Sequence, residues 1–291
     1  MSKYKGNLSM ENKLTEKDLE QLTQAVLLLE TPSLTTRITD LIGTPIEWLI
    51  DKLPNGAQKK INKIATTTLY KVIDTAELTM ADDSSEASPW LHKTGAFLSG
   101  AIGGFFGFSA LLIELPVSTT IMMRSVLDIA RAEGFSIKDP KTKLACLEVF
   151  SFTGNTDTQD DNAESGYYIT RAALTEITNI TTAELTKIIA ERTGQGLQSG
   201  FITFSKQEVG SILARLIDAI ATRFGVVLTE KTAAQLVPAL GAITAATLNT
   251  MFTDFYQDMA RGHFTVKRLE QNYGEELIKK KYHELRKELF K

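Results

Sequence analysis

The chain has 291 residues, 43% of them hydrophobic, so it is long enough to bury one large core. Its 32 basic and 35 acidic residues leave a net charge of −3, which argues against nucleic acid as the partner because phosphate binding needs a clustered basic surface. The single cysteine, Cys146, cannot form an internal disulfide, so we expect a reducing compartment.

The N-terminal third of the sequence predicts a series of helices. Residues 1–14 are polar and lack the apolar core of a signal peptide, so we expect a flexible segment and no secretion. Thr15 is suited to cap the first helix, because apolar residues then recur at steps of three and four. A second helix is predicted from Ser33, and we expect Gly43 and Pro45 to kink or split it.

Two uncharged runs are the most unusual part of the sequence. Residues 94–113 contain five glycines, and Lys231 and Asp254 bracket a second run over 232–253. Small residues four apart let helices approach closely, and about twenty residues at about 1.5 Å each match a bilayer core of about 30 Å. The mean hydropathy of the whole chain, −0.06, favours a soluble bundle instead. We expect the two runs to pack together as a hairpin core, part of which meets lipid.

The remaining segments complete an all-α prediction. Polar stretches near 80–88 and 153–164 are expected to be exposed loops, and Asp139 with Pro140 is typical of a helix start. A later helix is predicted to begin at Ser205 and to end near Gly225. Since no linker divides the chain, we predict a single all-α domain over 15–291. Its architecture is a multi-helix bundle with two long apolar central helices.

The end of the first uncharged run carries a carboxylate and a helix breaker. We expect Pro116 to restart the helix just after Glu114, which would place that carboxylate at a helix start, where free N–H groups favour negative charge. Beyond the proline, Arg124, Asp128 and Arg131 lie within about a third of the helix circumference. They form a polar stripe on the following helix.

A second polar stripe, which contains Asp254, Asp258 and Arg261, follows the second run. If the two stripes faced each other, Arg124 and Arg131 would meet Asp254 and Asp258, as a buried charge needs a partner. The favoured interpretation is that each stripe faces water or forms structural ion pairs, because most charged stripes are solvated. The candidate polar site therefore comprises Glu114, Arg124, Asp128, Arg131, Asp254, Asp258, Arg261 and His263.

No motif in the sequence assigns a reaction. The metal-binding spacings HExxH, ExxH and CxxC are absent, so no cofactor is predicted. A divalent cation stays an open alternative, because the acids of the candidate site and His263 are suitable ligands. A GxSxG elbow and a Walker motif are also absent. We interpret Cys146 as a core residue and His263 as a structural or capping residue.

Two blocks of the sequence, 104–154 and 223–270, resemble the EcsC family of bacterial proteins, and 44–54 is a looser match. The resemblance covers most of the chain from about residue 30 to 275. The residues that carry it are Glu114-Leu115-Pro116, Thr119-Thr120, Arg124-Ser125, Asp128 with Arg131, Cys146-Leu147-Glu148-Val149-Phe150, Arg261-Gly262-His263-Phe264 and Arg268-Leu269-Glu270.

The resemblance implies an accessory protein without an assigned catalytic residue. Family members are described as membrane-associated or linked to an ABC transporter, so the expected partner is a membrane surface or a membrane protein. The expected location is cytoplasmic, with peripheral association with the inner membrane. The alternative is a hydrolase that acts on a lipid or peptide through a carboxylate-lined cleft, with or without a metal. Oligomeric state and substrate are left open.

Overall fold

The computed structural model describes residues 14–75, 107–154, 165–178, 206–236 and 245–290. These residues form ten helices and no strand, which confirms the all-α prediction. The helices are α1 (Glu16–Leu29), α2 (Leu34–Ile42), α3 (Ile46–Ile50), α4 (Ala57–Thr75), α5 (Gly107–Ala132), α6 (Pro140–Val149), α7 (Gly166–Thr178), α8 (Lys206–Gln235), α9 (Ala245–Tyr273) and α10 (Glu275–Leu289).

The predicted helix boundaries near the N-terminus and at α6 are confirmed. The hydroxyls of Thr15 and Ser33 each accept a hydrogen bond of 3.1 Å from a backbone N–H in the first turn of their helices. Gly43 ends α2 in the left-handed region at φ 69°, which needs no Cβ, and Pro45 precedes α3. The Asp139 carboxylate caps α6 at 2.9 Å, with a proline in the first position.

Helix α5 continues through Pro116, so the prediction of a helix restart there is wrong. Glu114 consequently lies inside a helix of 26 residues and does not cap one. A proline in a helix interior removes one backbone hydrogen bond. The hydroxyls of Thr119 and Thr120 donate at 2.7 Å to carbonyls one turn earlier, and Leu115 is fully buried. Tertiary packing therefore holds α5 together across the proline.

The second apolar central helix is not confirmed. Residues 232–253 are divided between the end of α8 at Gln235 and the start of α9 at Ala245, and 237–244 lie outside the described residues. Because 94–106 also lie outside them, the predicted hairpin of the two runs stays a prediction. The predicted end near Gly225 is wrong as well, since α8 runs on for nearly three more turns.

The predicted N-terminal segment and loops lie largely outside the described residues. Residues 1–13, 80–88 and 155–164 are not among them, and 153–154 are non-helical. The N-terminal cap of α8 predicted at Ser205 falls outside them too.

Helices α8 and α9 organise the packing of the others. Helix α8 lies along α4 and also contacts α2, α3 and α7, whereas α9 lies along α1 and α5 and also contacts α6 and α10. Residues 142–149 of α6 are all buried, and among them Cys146 is a core residue, as predicted. At the end of α6 the Phe150 ring lies 5.0 Å from Phe224 of α8 and 5.2 Å from Tyr256 of α9, measured between centroids. One hydrophobic cluster thus receives side chains from all ten of the described helices.

Candidate functional site

Glu114 forms a buried ion pair with Lys231 of α8. The Lys231 ammonium lies 2.9 and 3.2 Å from the two carboxylate oxygens and donates to the Ser118 hydroxyl at 3.3 Å. It also lies 5.5 Å from the centroid of the Phe252 ring of α9. The Lys231 side chain has no exposed surface, and that of Glu114 exposes only 4%. The pair therefore joins α5, α8 and α9 in the core.

Burial of both groups makes this pair strongly dependent on its geometry. Burial lowers the pKa of Lys231 below its ordinary 10.5, and the Glu114 carboxylate opposes that shift. Taking two charges out of water costs several kcal/mol per ion, and only close contact with further hydrogen bonds offsets it. Ser118 supplies one such hydrogen bond.

The first polar stripe of the candidate site lies on the outer side of α5. Arg131 donates to Asp128 at 3.1 Å, one turn away on the same helix, and both side chains are more than half exposed. Arg124 is half-buried. Exposed pairs at this spacing contribute little to stability, about 0.2–1 kcal/mol.

The second stripe, on α9, also forms its ion pair within one helix. Arg261 donates to Asp258 at 3.0 Å and lies 3.4 Å from the Gln257 amide oxygen. Arg131 and Asp258 each pair within their own helix, which agrees with the favoured interpretation of structural ion pairs and not with a meeting of the two residues across the helices. Beside the two stripes, the Gln257 amide of α9 donates a hydrogen bond to the Ser125 hydroxyl of α5 at 3.3 Å.

Asp254 of the second stripe lines a surface groove of about 490 Å³. Arg37 of α2 lines the same groove, and its guanidinium donates to the Pro32 carbonyl at 3.2 Å and lies 5.4 Å from the centroid of the Phe255 ring. Thr247, Thr250 and Met251 complete the described lining. The groove therefore presents a held cation, a carboxylate and two hydroxyls to solvent.

His263 lies at the centre of a buried polar network. Its Nδ1 is 2.9 Å from the Tyr167 hydroxyl of α7, which also accepts from Arg171 at 3.3 Å. Because that hydroxyl accepts from arginine, we assign it as the donor to Nδ1, which places the imidazole hydrogen on Nε2. Nε2 faces the Glu148 carboxylate at 3.3 Å, poorly aligned for a hydrogen bond, and Lys267 lies 3.6 Å from the same oxygen.

Burial and the neighbouring charges fix the protonation states in this network. Burial chiefly lowers the pKa of His263 to about 4, so the imidazole is neutral at pH 7. Burial alone would raise the pKa of Glu148, but Lys267 and His263 outweigh it and hold that pKa at about 2. Burial likewise raises the pKa of Tyr167 well above its ordinary 10. Among the described residues, a cavity of about 20 Å³ beside Tyr167 has room for one water molecule.

The same network continues through a two-point ion pair between α7 and α9. Arg171 donates to the two carboxylate oxygens of Glu270 at 2.8 and 3.1 Å, and the Tyr168 hydroxyl donates to Glu270 at 3.1 Å. The Arg171 guanidinium also lies 5.4 Å from the centroids of the Tyr167 and Tyr168 rings. This arrangement fixes the orientation of α7 against α9.

Glu30, at the end of α1, is a further buried carboxylate with several partners. It accepts from Ser165 at 2.5 Å, from Tyr282 at 2.9 Å and from Arg286 at 3.1 Å. Tyr282 and Arg286 belong to α10, so Glu30 attaches the last helix to the first.

Metal binding gains no support among the described residues. No three His, Cys, Asp or Glu side chains in that part of the chain lie close enough together to hold an ion. Glu114, one proposed ligand, is paired with Lys231, and His263 is enclosed between Tyr167 and Glu148.

The structure brings together residues that the candidate site missed. Two of them, Glu148 and Glu270, belong to the motifs that resemble the EcsC family. Lys231 borders the uncharged run 232–253, and a charge next to such a run indicates a buried ion pair. No motif or spacing in the sequence indicated a role for Tyr167 or Arg171. The interpretation of His263 as structural agrees with its complete burial among polar partners.

Comparison with known proteins gives one match. The model of the EcsC protein family matches residues 8–269, most of the chain and nearly all of its described helices. No curated protein and no solved structure matches the chain. All of the buried polar centres above include residues inside the matched range.

Proposed function

Because the chain belongs to the EcsC protein family, we propose that it is an accessory protein that associates peripherally with the cytoplasmic face of a membrane. In this proposal it supports a membrane protein, an ABC-type transporter, and catalyses no step itself. In this proposal the buried ion pairs stabilise the helical bundle, and the outer surfaces bind the membrane and the partner.

The observation that carries the proposal is the apolar surface of the first half of α5. Residues 108–132 are long and apolar enough to cross a membrane by length and composition, and 44% of the most apolar window is buried. Ile113 exposes 59% of its surface, one helical position before the buried Glu114. A core helix of a soluble protein satisfies the same test of length and composition. The exposed apolar surface is therefore confined to the first half of α5, around Ile113, because Asp128 and Arg131 are exposed further along the helix. In this proposal that first half meets lipid or a membrane protein.

Cell fractionation tests the proposal. We expect the protein to divide between the soluble and membrane fractions and to leave the membrane on washing with alkaline carbonate. An integral protein would stay in the membrane after the wash, and a protein found only in the soluble fraction would refute membrane association.

A matched pair of variants tests the role of α5 in that association. Ile113→Glu places a charge on the apolar surface of α5, and Val226→Glu makes the same change on α8 at a residue that is 53% exposed. We expect only the α5 variant to move into the soluble fraction, because burying a charge in lipid is unfavourable. Equal behaviour of the two variants would exclude α5 as the contact surface.

A second candidate function, hydrolysis of a lipid or peptide, is favoured by the groove beside Asp254. Its carboxylate and the Arg37 guanidinium line one open cleft, which is the arrangement that a polar substrate needs. Asp254→Asn would then abolish cellular function in a complementation assay without changing the melting temperature. Asp128→Asn, which alters an exposed carboxylate on α5, is the control. Full complementation by Asp254→Asn would reject this candidate.

A further inference from the structure

The outer face of α4 carries a cluster of lysines. Lys59, Lys60 and Lys63 are exposed, and at about 100° per residue they lie within an arc of about 100°. Ile61 and Ala65, on the opposite side of the helix, are fully buried. No acidic residue occurs between 57 and 73. We refer to Lys59, Lys60 and Lys63 as the lysine face.

The lysine face forms no ion pair with a described residue, unlike several basic residues on other helices. Arg131, Arg261 and Lys281 each pair with an acid three residues away on their own helix. Among the described residues, none of the ion pairs involves the lysine face. Since the whole chain carries a net charge of −3, this face is a local positive region on an otherwise acidic protein.

An exposed tryptophan lies on the helix just before α4. Trp48 of α3 is 53% exposed, and the Lys52 ammonium lies 4.9 Å from the centroid of its ring. Helices α3 and α4 both pack against α8. Tryptophan and lysine together are typical of protein surfaces at the boundary between lipid and water, where the ring meets the acyl region and the ammonium meets phosphate.

We propose that the lysine face and Trp48 form a surface that binds the anionic head groups of a bilayer. The inference rests on the proposed function, because it names the lipid chemistry that a peripheral membrane protein of this charge would recognise. Net acidity disfavours nucleic acid, whose contacts need a basic surface overall, whereas a local basic face suffices for an anionic lipid surface.

Vesicle flotation with the full-length protein tests the proposal. The probes are vesicles of phosphatidylcholine alone and vesicles that also contain phosphatidylglycerol. We expect stronger binding to the anionic vesicles and loss of that difference at high salt, because salt screens exposed charges. Each lysine near an anionic surface contributes about 1 kcal/mol, so Lys59→Glu with Lys63→Glu should weaken binding by at least about 30-fold.

A second charge reversal of the same size controls for net charge. Lys280→Glu with Lys287→Glu changes two exposed lysines of α10, and we expect a much smaller effect on flotation. Circular dichroism of both double variants should match that of the native protein, because all four lysines are exposed. An equal loss in the two double variants would overturn the lysine face as the binding surface.

Fluorescence provides a readout that does not depend on affinity. The chain has two tryptophans, and Trp90→Phe leaves Trp48 as the only one. We expect its emission to shift to shorter wavelength with anionic vesicles and not with phosphatidylcholine alone. Binding without a shift would overturn the assigned surface, and equally tight binding to DNA would overturn its assignment to lipid head groups.

These outcomes separate the inference from the proposed function. If the native protein bound both vesicle types equally and the lysine reversal had no effect, membrane association would stand and the lysine face would be wrong. If it bound neither vesicle type and stayed soluble in cells, the proposed function itself would be wrong.

Discussion

Glu114→Gln is the substitution that most directly tests the account of the core. It keeps the size of the side chain and removes the negative charge that lies 2.9 Å from the fully buried Lys231 ammonium. Removal of one partner from a buried ion pair leaves an uncompensated charge, which costs about 3–5 kcal/mol. A carboxylate that only capped a helix start would contribute about 0.3–1 kcal/mol.

The expected loss is a large share of the total stability, which for a protein domain is about 5–15 kcal/mol. Urea unfolding should measure it directly, and the melting temperature should fall by roughly 5–15 °C. Asp128→Asn is the control, because it breaks an ion pair whose side chains are 56% and 62% exposed and should cost less than about 1 kcal/mol.

The pH dependence of the variant gives a second, independent test. Without Glu114, burial lowers the pKa of Lys231 further, so the folded state binds fewer protons than the unfolded state in alkaline solution. The stability of Glu114→Gln should therefore rise with pH up to the ordinary lysine pKa of 10.5. A cost below about 1 kcal/mol, with no such rise, would refute the buried pair.

Three further predictions concern other parts of the core. Burial lowers the pKa of His263 from 6.5 to about 4, so the unfolded state binds a proton at a higher pH than the folded state does. The free energy of unfolding, measured by urea titration, should therefore fall by about 2 kcal/mol between pH 7 and 5. His263→Gln should remove that pH dependence. Gly262→Ala places a Cβ 2.6 Å from Leu29 Cγ and 3.2 Å from a backbone oxygen of α1, so it should cost about 1–3 kcal/mol in thermal melts. Gly225→Ala should cost less, because its closest contact, at 1.9 Å, is with the amide oxygen of Asn62, the end of a side chain that can turn away, and the Asn62 Cα is at an ordinary 3.6 Å. Glu270→Gln should lower the free energy of unfolding by about 3 kcal/mol, because it leaves the buried Arg171 guanidinium without its carboxylate partner. A loss as small as that of an exposed ion pair would contradict the role of Glu270 in holding α7 against α9.

The helices and their starts were predicted from the sequence because the signals are local. Thr15, Ser33 and Asp139 satisfy backbone N–H groups within their own first turns, so a few neighbouring residues decide the outcome. The family resemblance was also visible in short runs of neighbouring residues, and the family model then matched residues 8–269. Pro116 shows the limit of such signals, since its local cost is outweighed by the packing of α5.

The partners of the buried charges were decided only by the tertiary structure. Glu114 and Lys231 are 117 residues apart, and Tyr167 and His263 are 96 residues apart. Helical periodicity places residues on a face of their own helix but does not say which other helix that face will meet. That choice depends on how the side chains of the ten described helices fill one core, and a buried charge is tolerated only where this packing brings it a partner.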